Sequence, residues 1–288
     1  MARPTDRPTP STRPATERRQ RQRVEDPRWR TAITRIESNS IHIRGYAVDE
    51  LMGRLSFGEA IFLILRGELP TPSMGKLFGA ALVSSIDHGV TPPSTIAARN
   101  VATSGAPLRA CVAAGVLGFG MYYGGDVESC MRFIDEALGL VREGASYQAA
   151  AQKVIDACLE GGRKLPGFGH RIHTSDPRAS RLLQMAHELE LDGEHVRMVR
   201  TMERLLSGRP ESAGRPLPLN VDGAIAAVCG DMGFEPEMGN AMFIIARIPG
   251  LIAHASEERT RQAPMRQIDP KDAQYDGPQP RRLPETRK

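Results

Sequence analysis

Two histidines, one aspartate and a few arginines stand in four separated segments of this 288-residue chain, in settings that suit proton transfer and anion binding. His88 lies in Ser85-Ile86-Asp87-His88-Gly89, at the expected C-terminus of a helix, where the negative end of the dipole favours the imidazolium. The run from Lys164 to Arg178 is KLPGFGHRIHTSDPR. There Gly167 and Gly169 are expected to let backbone approach a ligand, His170 and Arg171 follow, and Asp176 opens a helix with Arg178 in its first turn. Glycines and cations ahead of a helix N-terminus suit a phosphate-bearing ligand. The run is a weak nucleotide signature, since no strand precedes it and the spacing is not GxGxxG. Asn220-Val221-Asp222-Gly223 puts a carboxylate at the start of an apolar helix, Arg247 sits inside FIIARIPG, and Arg266 lies in PMRQIDP. An arginine among isoleucine and phenylalanine must be paired or must meet an anion.

Making or breaking a carbon–carbon bond beside a thioester requires three things. A carboxylate must move a proton on carbon, donors must hold the enolate oxygen, and cations must hold the acid substrate's carboxylates. The four segments offer candidates for each. Each also has an ordinary alternative: His88 as a capping histidine, the glycine run as a plain inter-helix loop, Asp222 as an N-cap, and Arg247 in a buried ion pair.

The elements that must position these residues are nearly all helices, and their signals are explicit. Ser40–Val48 alternates around Gly45 and predicts a short hairpin or extended segment. Ser56 with Glu59 forms a capping box before FGEAIFLILR, which Gly67 ends. Thr71-Pro72 opens a helix expected to run to His88 and stop at Gly89, and Pro92 and Pro107 precede two more. Asp126 is expected to cap a helix whose Val127, Met131, Ile134, Leu138 and Val141 share one face. Asp176-Pro177 opens the next, Gly193 precedes one that Gly208 closes, Asp222 begins an apolar helix, and Pro236 opens the last.

Composition narrows the class. Residues 1–28 hold eight arginines against four acids, so 8 − 4 = +4 accounts for the whole net charge, and the remainder is neutral. This arm has few apolar or aromatic residues and is expected to be a solvated, disordered tail; nucleic-acid binding is not expected. The stretch from Asp276 to Lys288 has the same character. Cys111, Cys130, Cys158 and Cys229 are scattered without metal or CxxC spacing, which suits buried thiols in a reducing compartment. Residues 1–30 carry no apolar signal core, and Ala110–Gly125 is too short and glycine-rich to span a membrane. A cytoplasmic protein without a membrane partner is therefore expected.

Taken in order, Arg44-Gly45-Tyr46, LSFGEAIFLILRGELP, SIDHG, the glycine pair 124–125, LPGFGHRIHTSDPRA, NVDG and RIPGLIAH resemble the citrate synthase superfamily over about residues 30–275. The short form and SSIDHGVTPPS are more similar to citryl-CoA lyases, and the citrate-cleaving module of ATP-citrate lyase is similar too. The resemblance implies an all-α fold of two helical domains with the site in their cleft. A large domain would comprise 29–125 and 223–275, and a small coenzyme-A-binding domain 126–222, flanked by tails 1–28 and 276–288. It implies His170 as the histidine exchanging a proton with the substrate's carbonyl or hydroxyl oxygen, and Asp222 as the carboxylate acting on the acetyl carbon. It further implies His88 as the residue orienting the oxaloacetate portion, and Arg178, Arg247 and Arg266 as carboxylate clamps, the last reaching across a homodimer. Lys164, Pro166, Gly167, Phe168, Gly169 and Arg171 would receive coenzyme A.

One position departs from the pattern. Where citrate synthases carry a histidine before the glycine pair, MYYGGDVE places Tyr123, which can donate one hydrogen bond to an enolate oxygen. The expected activity is retro-aldol cleavage of citryl-CoA to acetyl-CoA and oxaloacetate, with the thioester as substrate and no bound cofactor or metal. The alternatives are condensation of an acyl-CoA with oxaloacetate, or a non-catalytic regulatory homologue.

Overall fold

The computed structural model describes residues 29–120, 123–124, 126–170, 173–207 and 217–283. The basic arm 1–28, Gly125, Arg171, Gly208 and residues 284–288 lie outside them. The chain divides into two compact units, one ending at Val48 and the other beginning at Asp49.

The described part of the first unit is an antiparallel meander of β1 (Thr34–Glu37), β2 (Ser40–Ile43) and β3 (Tyr46–Ala47), in register Thr34 to Ile43 and Ile43 to Tyr46. The extended segment expected from Ser40 is present; β1 was not anticipated from the sequence. Asn39 and Gly45 take positive φ at the two turns, a conformation glycine and asparagine adopt most cheaply.

Helices follow: α1 (Val48–Leu51), α2 (Phe57–Arg66), α3 (Pro72–Ser84), α4 (Pro93–Thr103), α5 (Leu108–Leu117), α6 (Asp126–Arg142), α7 (Tyr147–Glu160), α8 (Pro177–Glu188), α9 (Glu194–Ser207), α10 (Val221–Asp231) and α11 (Gly239–Arg261). The expected start signals act as such. Ser56 and Glu59 cap α2 reciprocally, Gly67 ends it in the left-handed conformation, and Thr71 and Asp176 cap α3 and α8. Asp126 is itself the first residue of α6. Residues 276–283 form neither helix nor strand, although Tyr275 donates its hydroxyl to the Pro278 carbonyl at 2.9 Å. All four cysteines are buried free thiols.

The packing is organised around α10. Its residues Val221 and Gly223–Cys229 are buried, and it packs against α3, α6, α8 and α9. A helix apolar on all sides belongs in a core, and its Gly and Ala content lets four neighbours approach closely. The long α11 lies on α4 and α5 and also touches α3 and α6. Pro249 within it removes one backbone donor. The next residue, Gly250, is where the chain after α3 crosses it: a Cβ there would stand 2.6 Å from the Ile86 carbonyl and 2.7 Å from an Asp87 carboxylate oxygen.

Candidate active site

The N-terminal end of α10 meets the glycine loop backbone to backbone. Asn220 caps α10, its side-chain oxygen accepting the Gly223 N–H at 3.1 Å. Its own N–H donates to the Gly167 carbonyl and its side-chain amide to the Gly169 carbonyl, both at 3.0 Å. A Cβ on Gly167, whose φ is +79°, would collide with the Cys130 sulfur and the Gly223 Cα. Gly167 therefore serves a close approach of loop to helix, where the sequence suggested an approach of loop to ligand. A Cβ on Gly169, with φ +87°, would meet only the Leu217 side chain among the described residues. Phe168 is a core residue, Pro166 is half-buried, and Arg171 lies outside the described residues.

With Asn220 as the cap, Asp222 is spared that duty and stands in the first turn of a buried helix. Burial pushes its carboxyl up to about 6, helped by the negative charge of Asp126 and opposed by Arg178, Lys164 and Arg247. Such a carboxyl is present in both protonation states near neutrality, as a proton-transfer group requires. Lys164 reaches Asp126 at 3.0 Å with most of its side chain in solvent.

Asp176 links three of these parts. It caps α8, holds Arg178 through Nε at 3.0 Å and a terminal nitrogen at 2.9 Å, and accepts the Val221 N–H at 3.0 Å. Burial alone would raise its pKa, but the Arg178 guanidinium and these N–H donors outweigh it and hold the carboxyl below the usual range. The arginine and the start of the Asp222 helix thus hang on one carboxylate. On the same loop, His170 Nδ1 accepts the His173 N–H at 2.9 Å. Desolvation, His173 and Arg178 lower its pKa against the pull of Asp176. With Nδ1 an acceptor, a neutral ring carries its proton on Nε2.

The opposite wall comes from α11. Arg247 is 1% exposed, and among the described residues no carboxylate lies within ion-pairing distance of it. Its guanidinium donates to the Ser85 carbonyl at 2.9 Å and to the Tyr123 hydroxyl at 2.8 Å, and lies 4.6 Å over the Phe243 ring. Of the two alternatives for this residue, a buried ion pair is not present. A buried cation held by dipoles and an aromatic face, without a counter-charge, has the chemistry to receive an anion. The Tyr123 hydroxyl also meets the Ser94 hydroxyl at 3.0 Å. Arg247 can only donate to this hydroxyl, so the phenol keeps its own proton to give, to Ser94 or to a ligand.

His88 needs a correction. Helix α3 ends at Ser84, so His88 stands in a loop, four residues past the helix end. Arg247 grips this loop at Ser85, Gly250 gives it room, and His254 bonds Asp87 at 3.1 Å. Instead of a helix dipole favouring the imidazolium, desolvation and the charges of Arg247, Arg178 and His170 lower the pKa, with Asp87 opposing. His88 is held toward the neutral ring.

These electrostatic couplings bring His88, His170, Arg178, Arg247, Lys164 and Asp222 into one charge cluster, with Tyr123 joined through Arg247. Arg266 is not part of it. That residue bonds the fully buried Glu258, which also accepts Arg99 at 2.7 Å. Ser94, and the part of Asp176 beyond its cap, were missed from sequence. Ser94 carries no signal of its own, whereas Asp176-Pro177-Arg178 is spaced for a local Asp–Arg pair.

A family model described as citrate synthase, C-terminal domain, matches residues 71–268. The chain belongs to the citrate synthase family. Citrate synthase 2 of Bacillus subtilis is 30% identical over 225 residues, 76% of this chain and 56% of that protein. The chain thus spans about half the length of the curated relatives it matches. Among solved structures, citryl-CoA lyase from Hydrogenobacter thermophilus superposes with a TM-score of 0.80 and 44% identity, over 89% of this chain and 97% of that one. ATP citrate lyase from Methanothrix soehngenii, in complex with citrate and coenzyme A, shares the fold at TM-score 0.72 and 19% identity, over 96% of this chain and 47% of that one.

Proposed function

We propose that the protein is a citryl-CoA lyase, cleaving citryl-CoA to acetyl-CoA and oxaloacetate. The observation that carries this reading is the 44% identity to a citryl-CoA lyase over nearly its whole length. The cluster supplies matching parts. Arg178 and Arg247 hold the substrate's carboxylates and a neutral His88 orients the oxaloacetate portion. The tertiary hydroxyl proton passes to His170, whose Nδ1 gives up the His173 N–H to accept it, as the carbon–carbon bond breaks. Its electron pair moves into the thioester as an enolate while the hydroxyl-bearing carbon becomes the ketone of oxaloacetate. Tyr123 donates to the enolate oxygen, and Asp222 delivers a proton to the enolate carbon.

Coenzyme A recognition is assigned to the Lys164–Arg171 segment, and domain closure to residues 126–222 moving over 29–125 and 223–275, which would exclude water from the enolate. A homodimer is part of the reading. Arg266 lies outside the cluster of its own chain, and the mutually packed α4, α5 and α11 expose Ile96, Leu117 and Ile252. Four buried free thiols support a reducing, cytoplasmic setting.

The second reading is condensation of an acyl-CoA with oxaloacetate. Two observations favour it: the curated relatives named citrate synthases, and a His170 whose Nδ1 is occupied, since a proton on Nε2 suits donation to a carbonyl. Purified protein decides between them in two arms. One offers citryl-CoA and couples oxaloacetate to malate dehydrogenase; the other offers acetyl-CoA with oxaloacetate and follows free thiol. Cleavage without thiol release supports the lyase, thiol release moves the chain to the synthases, and silence in both overturns both readings.

A further inference from the structure

Between the packed helices α7 and α9 lies a cleft of about 410 Å³, lined by Tyr147, Gln148, Arg197, Thr201, Arg204 and Leu205. It shares no residue with the cluster around Asp222. Several other exposed arginines of this chain, Arg132, Arg142, Arg181 and Arg261, each reach a carboxylate within 4 Å. Among the described residues, Arg197 and Arg204 reach none.

Both guanidinium groups are nevertheless held in place. Arg197 Cζ lies 4.1 Å over the Tyr147 ring, a cation–π contact that steadies the guanidinium without using its N–H groups. Arg204 is tethered through Nε to the Arg200 carbonyl at 3.3 Å and through a terminal nitrogen to the Thr201 hydroxyl at 3.2 Å. Thr201 is 6% exposed and donates its own proton to the Arg197 carbonyl at 2.8 Å, so its position is set by the helix. The neighbouring acid, Glu203, is occupied with the Leu219 N–H at 3.2 Å. Two un-neutralised guanidinium groups on one face of α9, two turns apart, with an amide beside them and an aromatic wall, offer N–H donors of the kind that recognise phosphoryl oxygens: the edge of Arg197 and the remaining terminal nitrogen of Arg204.

We propose that this cleft is a binding site for a phosphoryl anion, held between Arg197 and Arg204. The group could arrive as free pyrophosphate or as the phosphate tail of a nucleotide, whose base would find the Tyr147 and Leu205 surfaces. Occupancy would bear on α9 next to Glu203, which holds the N–H of Leu219, the residue before the Asn220 cap.

The test is calorimetric titration of the full chain with pyrophosphate and, separately, with ATP. Arg197→Gln/Arg204→Gln is expected to weaken binding by at least about tenfold, while Arg181→Gln, on an arginine already paired, leaves it unchanged. Tighter binding of ATP than of pyrophosphate assigns the site to a nucleotide, and the reverse to free anion. Equal affinity in wild type and double variant overturns the proposal, as does no heat with either ligand up to roughly 10 mM. Should the double variant melt differently from wild type, Arg197→Lys/Arg204→Lys keeps both charges without the forks, and intermediate affinity is expected of it.

Discussion

The two ends of α10 carry aspartates nine positions apart in opposite conditions. Asp231, at the C-terminal end, accepts the N–H groups of Gly193, His195 and Val196 and the Nδ1 of His195, all within 3.1 Å. Asp222, at the N-terminal end, has no such company among the described residues. Asn220 takes the cap, the nearby cations act from a distance, and Asp126 opposes its charge. On the proposed reading, one helix uses the same residue type once to hold the fold and once to hold a reactive proton. The difference lies in which backbone donors each carboxylate is allowed to reach. Hydrogen bonds are concentrated at one end, and the carboxyl that burial raises to about 6 stands at the other.

If that division is right, Asp222→Ala should lower kcat by about 1000-fold, the scale of a lost general acid, with little change in fold. Retention of half the activity would break the comparison outright. Asp222→Asn sharpens it through stability. Because the folded carboxyl titrates at about 6, above its unfolded value, ionising it disfavours folding, and the penalty grows as pH rises from about 4 through 6. The asparagine variant should therefore unfold later than wild type above pH 6, by on the order of 1–2 kcal/mol, discounted for the partly open carboxyl edge. Denaturant melts at two pH values would check it.

Asp231→Ala is the mirror test. Removing this carboxylate strips four donors of their acceptor, and a loss of about 2–4 kcal/mol in unfolding free energy is expected. Below the melting temperature, turnover should stay within about threefold of wild type. A variant that folds as well as wild type would show that the C-terminal end is not the anchor.

Tyr123→Phe addresses the donor that replaces the family histidine. It keeps the ring among Phe119 and Phe243 but removes the hydroxyl that Arg247 and Ser94 hold. A fall in kcat of about 100-fold is expected from one missing oxyanion donor. An unchanged kcat with a raised KM would confine Tyr123 to steadying Arg247.

What the sequence disclosed follows the range of the forces involved. The capping box of α2, the Thr71 and Asp176 caps and the left-handed Gly67 depend on neighbours three or four residues away, and were read directly. The residues proposed for the site stand out in the sequence because their segments follow a family order. The failures are long-range. His88 was placed on a helix end because no stop signal precedes Gly89, yet α3 is cut at Ser84 by contacts with Arg247, Gly250 and His254, more than 150 residues away in the chain. Gly167 announces a close approach without saying to what; the partner is Gly223, in another segment. Ser94 matters only because the fold brings Tyr123 to it.

The smallest expected effect concerns the histidine that serves Asp231. His195 is bonded through Nδ1 to Asp231 at 2.9 Å and through Nε2 to Asp135 of α6 at 3.1 Å, so both nitrogens act as donors in the imidazolium. Burial lowers its pKa, but the two carboxylates outweigh this and raise it. A raised histidine contributes stability that is fully present below its unfolded value of about 6.5 and is lost as pH rises through the folded value. Between about pH 6 and pH 9, wild type should therefore lose about 1 kcal/mol more than His195→Gln, a difference of about 2–4 °C in melting temperature. Parallel curves for the two proteins would mean that the ring is neutral in the native state. Asp231 would then anchor α9 through its backbone N–H bonds and one neutral donor, and the contrast between the two ends of α10 would rest on hydrogen bonding alone.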